Sequence, residues 1–304
     1  MSTREVTAIC PGSCGELMQG IIGGRELLVS YPINRYSEIT VRSGDSSKTY
    51  STSCRKILHT AKAVLEYLNI PVNKLGTFEI IRRSSLPLGK GMSSSTADIG
   101  ATAAAVAAFF GYELTSDEIA AMAASIEPTD GILYEDLMLF DSVNGEAVEM
   151  IGPVPPLKVL VLEGIGLVDT ICFHKKRSYV PVIDAAYDAL CSGVSAGDWA
   201  VMGNAAIMSA RLYQSVLPKP YLDDIIDIAM RKGAYGVNVA HTGTALGIIM
   251  DTDTDERALV EALRTRGILE FYGQHYVVRM VKGGPRIISQ PKRHKSGYYE
   301  SQPR

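Results

Sequence analysis

Pro87-Leu88-Gly89-Lys90-Gly91-Met92-Ser93-Ser94-Ser95-Thr96-Ala97 is the stretch on which the reading of this chain turns. A β-like run over residues 77–81 comes before it, and an apolar run over 96–110 follows. Seven of the fifteen residues in that second run are alanine. Alanine is the best helix former and its short side chain permits close packing, so the run predicts a helix buried on most sides. Glycines let a backbone take positive φ and pass close to a ligand. The first turn of the next helix carries unpaired N–H groups and a partial positive charge. Ser93, Ser94, Ser95 and Thr96 place four hydroxyls at that end. Together these features predict an anion site, most naturally for a polyphosphate, with Lys90 adding a point charge. A serine-capped helix entered through a glycine turn is the plainer alternative, because such caps are frequent.

Two commoner nucleotide loops do not fit. The pattern GxxxxGK(S/T) would need glycine where Ser84 stands and a hydroxyl where Gly91 stands. The pattern GxGxxG fails at its last place, which is Ser94.

Outward from the loop, residues 6–10, 16–33 and 37–41 read as β, with Gly23-Gly24 as a hairpin turn. Ile57, Leu58, Ala61, Val64, Leu65 and Leu68 recur at helical steps. Thr115-Ser116-Asp117-Glu118 is a capping-box pattern, and Glu127-Pro128 should end the helix it opens. Residues 137–140 and 159–162 read as strands. Helical segments follow over 181–191, 198–216 and 221–232, then β-structure over 236–250, a helix over 255–266 and a strand over 276–281. The mixed order predicts an α+β fold. Gly152-Pro153-Val154-Pro155-Pro156 is the expected boundary between a lobe over 1–152 and another over 153–289. The polar, basic tail 290–304, with Lys292-Arg293-His294-Lys295, is expected to be disordered.

Composition narrows the function. Thirty basic side chains against thirty-three acidic ones give a net charge of -3 over 304 residues, which argues against nucleic acid as partner. Five cysteines, an odd number at irregular spacing, argue against a disulfide framework or a structural zinc site. The start, MSTREVTAIC, has no signal-peptide pattern. The apolar run 96–110 contains Asp98 and falls short of the roughly 20 residues that span a bilayer. A cytoplasmic protein without membrane contact is expected.

The segment Pro-x-x-x-Gly-Met-Ser-Ser-Ser-Thr-Ala resembles the phosphate loop of the GHMP kinases, whose usual form is PxxxGLGSSAA, with GLSSSAS in galactokinases. Cys10-Pro11-Gly12-Ser13-Cys14-Gly15-Glu16-Leu17 resembles the family's first motif. Val239-Ala240-His241-Thr242-Gly243-Thr244-Ala245-Leu246-Gly247 resembles its third, with Thr242-Gly243-Thr244 where many members carry Ser-Gly-x-Gly. Within the family, PGSCGELMQG resembles the L-threonine kinases of cobalamin synthesis. The resemblance implies a two-lobed fold, an N-terminal lobe like ribosomal protein S5 domain 2 and a ferredoxin-like C-terminal lobe. It implies ATP and Mg²⁺, and nucleotide binding by Pro87, Leu88, Gly89, Lys90, Gly91, Met92, Ser93, Ser94, Ser95 and Thr96. Ser95 and Glu127 map to the metal-holding serine and glutamate.

Two carboxylates three residues apart at a turn, Glu127 and Asp130, suit metal binding and proton acceptance. Asp130 is the candidate catalytic base, with an aspartate serving a Thr-Asp-Gly turn as the alternative. Glu16 is the candidate for the acceptor's ammonium group, and Arg35 for its carboxylate; both are open to being surface ion pairs. His241 and Trp199 read as packing residues. The expected reaction is direct phosphoryl transfer to a small alcohol, L-threonine first, with homoserine or an isoprenoid alcohol as alternatives. A non-catalytic nucleotide-binding protein and a protein-binding module remain competing readings.

Overall fold

The computed structural model describes residues 4–44, 55–168 and 179–289. The basic tail and the cysteines Cys54 and Cys172 lie outside them.

Two long strands organise the molecule. β1 (Glu5–Ile22) and β2 (Arg25–Ser43) form an antiparallel hairpin. They turn at Gly23 and Gly24, whose φ values are 56° and 82°. Sequence reading divides each strand into shorter pieces, because Pro11-Gly12-Ser13 looks like a break. The structure carries the chain through by slipping register at Pro11/Gly12, Ser13/Glu16 and Glu16/Met18. Bulges of this kind take in residues that cannot continue a ladder and bend the strand. The open end of the hairpin pairs with β3 (Phe78–Ser84) and β10 (Arg286–Ser289). Toward its turn, β2 meets β4 (Leu137–Asp141), and β1 meets β7 (Gly236–Val239) at Glu16↔Val239.

The remaining strands are β5 (Glu146–Gly152), β6 (Lys158–Gly164), β8 (Ala245–Met250) and β9 (Tyr272–Arg279). They complete a sheet in the order β5-β4-β2-β1-β7-β8-β6-β9, with β3 and β10 off this path. β5 and β10 escape sequence reading because their faces are largely exposed and carry little apolar alternation. Between β6 and β7 lie α4 (Asp184–Ala196), α5 (Trp199–Tyr213) and α6 (Leu222–Arg231). Between β8 and β9 lies α7 (Glu256–Thr265). The antiparallel order β7-β8-β6-β9, with these crossovers, is the ferredoxin-like arrangement the sequence resemblance implies.

Against the open end of the hairpin pack α1 (Arg55–Tyr67), α2 (Ser94–Phe110) and α3 (Ser116–Ile126). As the alanine content predicts, α2 is buried on nearly every side. A Cβ on Gly100 would fall 2.7 Å from Leu133 and 3.0 Å from Cys10 Sγ. Its one charged residue, Asp98, is buried against Arg82 Nε at 2.8 Å and also accepts from Ser37. The capping box forms as expected, Thr115 and Glu118 bonding reciprocally, and α3 stops at Glu127. No helix among the described residues is long and apolar enough to cross a membrane.

Trp199 packs at the margin of the core between the sheet and α4–α5. Helix α5 presses on β7 backbone to backbone: a Cβ on Gly203 would sit 2.1 Å from Tyr235 O. A methyl group there forces the helix off the sheet. Gly203→Ala is expected to lower unfolding free energy by about 2 kcal/mol in urea titrations.

Candidate active site

Three glycine-bearing segments meet where β1 is bulged. The Ser13 amide donates to Met92 O at 3.2 Å and the Gly15 amide to Gly91 O at 3.0 Å. From the far side, the Ala245 amide donates to Lys90 O at 2.9 Å. Gly91 has φ +77°, and a Cβ on it would lie 2.4 Å from Ala240 Cβ and 3.0 Å from Gly243 Cα. A Cβ on Gly243 would lie 2.2 Å from Gly91 N. The glycines of all three motifs therefore serve close backbone docking. Gly243 itself is the contact point, and Thr242 next to it lines the cleft.

This docking sets the mouth of α2. Ser93, just before the helix, is left-handed (φ 52°, ψ 28°) and makes no capping bond to it. Its hydroxyl instead donates to Asp130 Oδ2 at 2.6 Å and pairs with Ser13 Oγ at 2.5 Å. The simple serine-cap reading thus fails, and the helix's positive end opens on the cleft without a Ser93 cap. Within the first turn, Ser95 Oγ donates to Glu127. Lys56 of α1 joins both, its Nζ 2.7 Å from Ser95 Oγ and 2.5 Å from Glu127 Oε2. Thr129 Oγ1 donates to Thr96 Oγ1 at 3.1 Å, tying the Glu127–Asp130 turn to the helix.

The floor is acidic. Asp130 makes no side-chain bond to the short turn after it, so the carboxylate is not occupied by that turn. Its Oδ1 is buried with no hydrogen-bond partner, and so is the hydroxyl of Ser30. Burial, then the nearby Glu16 charge, pushes the Asp130 carboxyl up from 3.8 to about 6. Ser93 opposes this by donating to the charged form. Ser30 and the Gly131 amide act the same way more weakly, close to the carboxylate but outside hydrogen-bond geometry.

Glu16 is buried, and its Oε2 receives the His241 amide at 2.8 Å with the His241 ring Nδ1 also at 2.8 Å. The other ring nitrogen lies 3.4 Å from Ser209 Oγ, and the Tyr213 ring meets the imidazole edge-on at 4.2 Å. His241 is therefore an orienting partner for Glu16. Beneath it, buried Lys219 donates to Gly243 O at 2.8 Å. Burial draws the Lys219 ammonium down to about 7, and the Glu16 charge opposes this.

Gly89, Gly91, Met92, Ser93, Ser94, Ser95 and Thr96 line one cleft with Glu16, Glu127 and Asp130. Pro87, Leu88 and Lys90 do not line it. Leu88 is exposed, and the Lys90 ammonium donates to Gly164 O and Gly166 O, each at 2.7 Å. Arg35 is held elsewhere, 3.7 Å over the Tyr276 ring and bonded to Ser85 O. Sequence reading missed Lys56, Ser13, Ser30 and Gln19. Lys56 precedes Ser95 by 39 positions, and only tertiary packing brings them together.

Comparison with known proteins gives the family and the fold. The family model for the GHMP kinases N terminal domain matches residues 55–133, and that for GHMP kinases C terminal matches 186–269. An L-threonine kinase from Citrobacter freundii is 32% identical over 92% of this chain and 99% of its own length. One from Salmonella typhimurium is 32% identical over 92% of this chain and 95% of its own length. The solved homoserine kinase from Cytophaga hutchinsonii has the same fold. Its TM-score is 0.72 at 17% identity, covering 93% of this chain and 97% of that one. The chain belongs to the GHMP kinase family. It is an ATP-dependent kinase acting on a small molecule.

A buried carboxyl held above its ordinary value destabilises the fold wherever it is ionised. For Asp130 that penalty is full above pH 6 and gone below pH 3.8. Asp130→Asn is thus expected to be more stable than the parent by about 2 kcal/mol at pH 8 and nearly equal at pH 4, by urea denaturation.

Proposed function

We propose that this kinase transfers the γ-phosphoryl group of ATP to the hydroxyl of L-threonine, giving O-phospho-L-threonine and ADP. The observation that carries the reading is Asp130 Oδ1, a buried acceptor without a partner in the same cleft as the open end of α2. The similarity of this chain to two L-threonine kinases along nearly their whole length supports L-threonine as the acceptor. The product would serve cobalamin side-chain synthesis, as the sequence resemblance implies.

In this mechanism Gly89, Gly91, Met92, Ser94, Ser95 and Thr96 enclose the phosphates, with first-turn amides of α2 as donors. Ser95 Oγ and a Glu127 oxygen are the two protein ligands that would hold Mg²⁺. They suit it, being hard oxygen donors already in contact. When bound, the ion neutralises charge on the β- and γ-phosphates. Glu16, fixed by His241, accepts from the substrate ammonium. Asp130 takes the hydroxyl proton as the substrate oxygen attacks the γ-phosphorus and the bond to ADP breaks. A carboxylate titrating near pH 6 is ionised at neutral pH, yet basic enough to share that proton. Transfer is direct, with no phosphorylated enzyme.

Purified protein with ATP and Mg²⁺ is expected to phosphorylate L-threonine in preference to L-homoserine and mevalonate, with products resolved by mass spectrometry. Turnover of another alcohol without L-threonine would refute the substrate assignment. Asp130→Asn and Glu127→Gln should each lower kcat by about 10²-fold or more with the fold intact by circular dichroism.

A further inference from the structure

Only three non-glycine residues among the described ones have positive φ: Asn69, Ser93 and Tyr221. Ser93 is the one in the cleft. A left-handed serine is an unfavourable choice at a place where glycine would sit without strain. Strain of this kind persists at functional positions when the side chain is needed. This side chain is not used as a helix cap. It joins a directed chain of hydroxyls. Ser93 donates to Asp130 Oδ2 at 2.6 Å, so the 2.5 Å contact with Ser13 must be a donation from Ser13 to Ser93. Ser13 is itself fully buried and fixed in the β1 bulge by its amide bond to Met92 O. The carboxylate's two oxygens are thereby made different, one held and one free.

We propose that Ser93 is a positioning residue for Asp130: through the Ser13–Ser93 hydroxyl chain it holds Oδ2 and leaves Oδ1 to face the acceptor alcohol, rather than serving as a phosphate ligand. The proposal rests on the reading of Asp130 as the base. The charged group acting on Asp130 is Glu16 from β1, which is of like sign. The cations nearby have other partners: Lys56 is on Glu127 and Lys219 is on Gly243 O. From β2 comes neutral Ser30, and from the mouth of α2 neutral Ser93. A neutral hydroxyl donor therefore does here what an adjacent cation does elsewhere, favouring the ionised carboxylate without closing it in an ion pair.

The test is the pH dependence of kcat/KM for Ser93→Gly and Ser93→Ala, with Asp130→Asn as reference. Loss of a donor to the charged form raises the carboxyl's pKa, so the acid limb should move to higher pH. A shift of about one pH unit gives about a tenfold lower kcat/KM at pH 5, closing above pH 8, with KM for ATP unchanged. The two variants should share that shift but differ in melting temperature, alanine being the lower because only it is strained at positive φ. An acid limb that stays in place in both variants overturns the proposal, and a raised KM for ATP with it would make Ser93 a phosphate ligand. Wild-type turnover by Asp130→Asn would instead refute the base assignment on which the proposal stands.

Discussion

The site depends on one constraint, the close approach of three backbones around Gly91. Gly15 from the first motif, Gly91 from the loop and Gly243 from the third lie at separations that leave no room for a Cβ. Main-chain bonds fasten the loop on both sides, Gly15 to Gly91 O and Ala245 to Lys90 O. Because the loop is fixed from behind, its front is free, and α2 begins without a Ser93 cap. An anion site made of backbone amides works only if those amides are immobile and unoccupied. The docking secures the first condition, and the diversion of Ser93 toward Asp130 helps secure the second.

Charge in the cleft follows from the same arrangement. The positive end of α2 and the ammonium of Lys56 lie at Ser95 and Glu127, the side that the proposed function gives to phosphate, with Glu16 and Asp130 also lining the cleft. Two like-charged carboxylates in a buried floor are unfavourable to folding, and Asp130 bears that in a pKa pushed up to about 6. The same shift makes it a better proton acceptor. Under the proposed mechanism, stability is given up at the residue where the chemistry needs a basic carboxylate.

How much of this was legible in the sequence varied with how local the signal was. The loop, α2 and the α3 capping box were readable because glycine, serine, alanine and the Thr115–Glu118 spacing act within a few residues. β1 and β2 read as fragments because Pro11 and Gly12 signal a break locally, whereas the fold absorbs them as bulges. Glu127 and Asp130 were legible as a pair at a turn, and the cleft does hold both. Lys90 was misleading: a lysine in a phosphate loop suggests a point charge, but Gly164 and Gly166 carbonyls take its ammonium. Lys56 and Ser30 left no trace, because each arrives from a distant element, and Ser13 was legible as part of the first motif but not as the partner of Ser93. The bond from Ser93 to Asp130 was not legible, since four hydroxyls in a row look alike until one residue's φ and hydrogen bonds are known.

The bulge that bends β1 also explains why the two ends of the sheet are not independent. Breaking the ladder at residues 13–16 leaves carbonyls that the main chain of β2 does not satisfy. Cys14 O is taken by Tyr31 Oη at 2.9 Å and Asn238 Nδ2 at 2.7 Å, and Glu16 O by the same amide at 3.2 Å. Asn238 belongs to β7, so the N-terminal bulge is completed jointly by β2 and a strand of the ferredoxin-like part. That part also sends His241 to the Glu16 side chain and Gly243 to the loop. A floor carboxylate, a phosphate loop and a bent strand thus share their supports. Where the proposed function places the acceptor, the cleft is thus held from behind by Asn238 and His241, neither of which lines it.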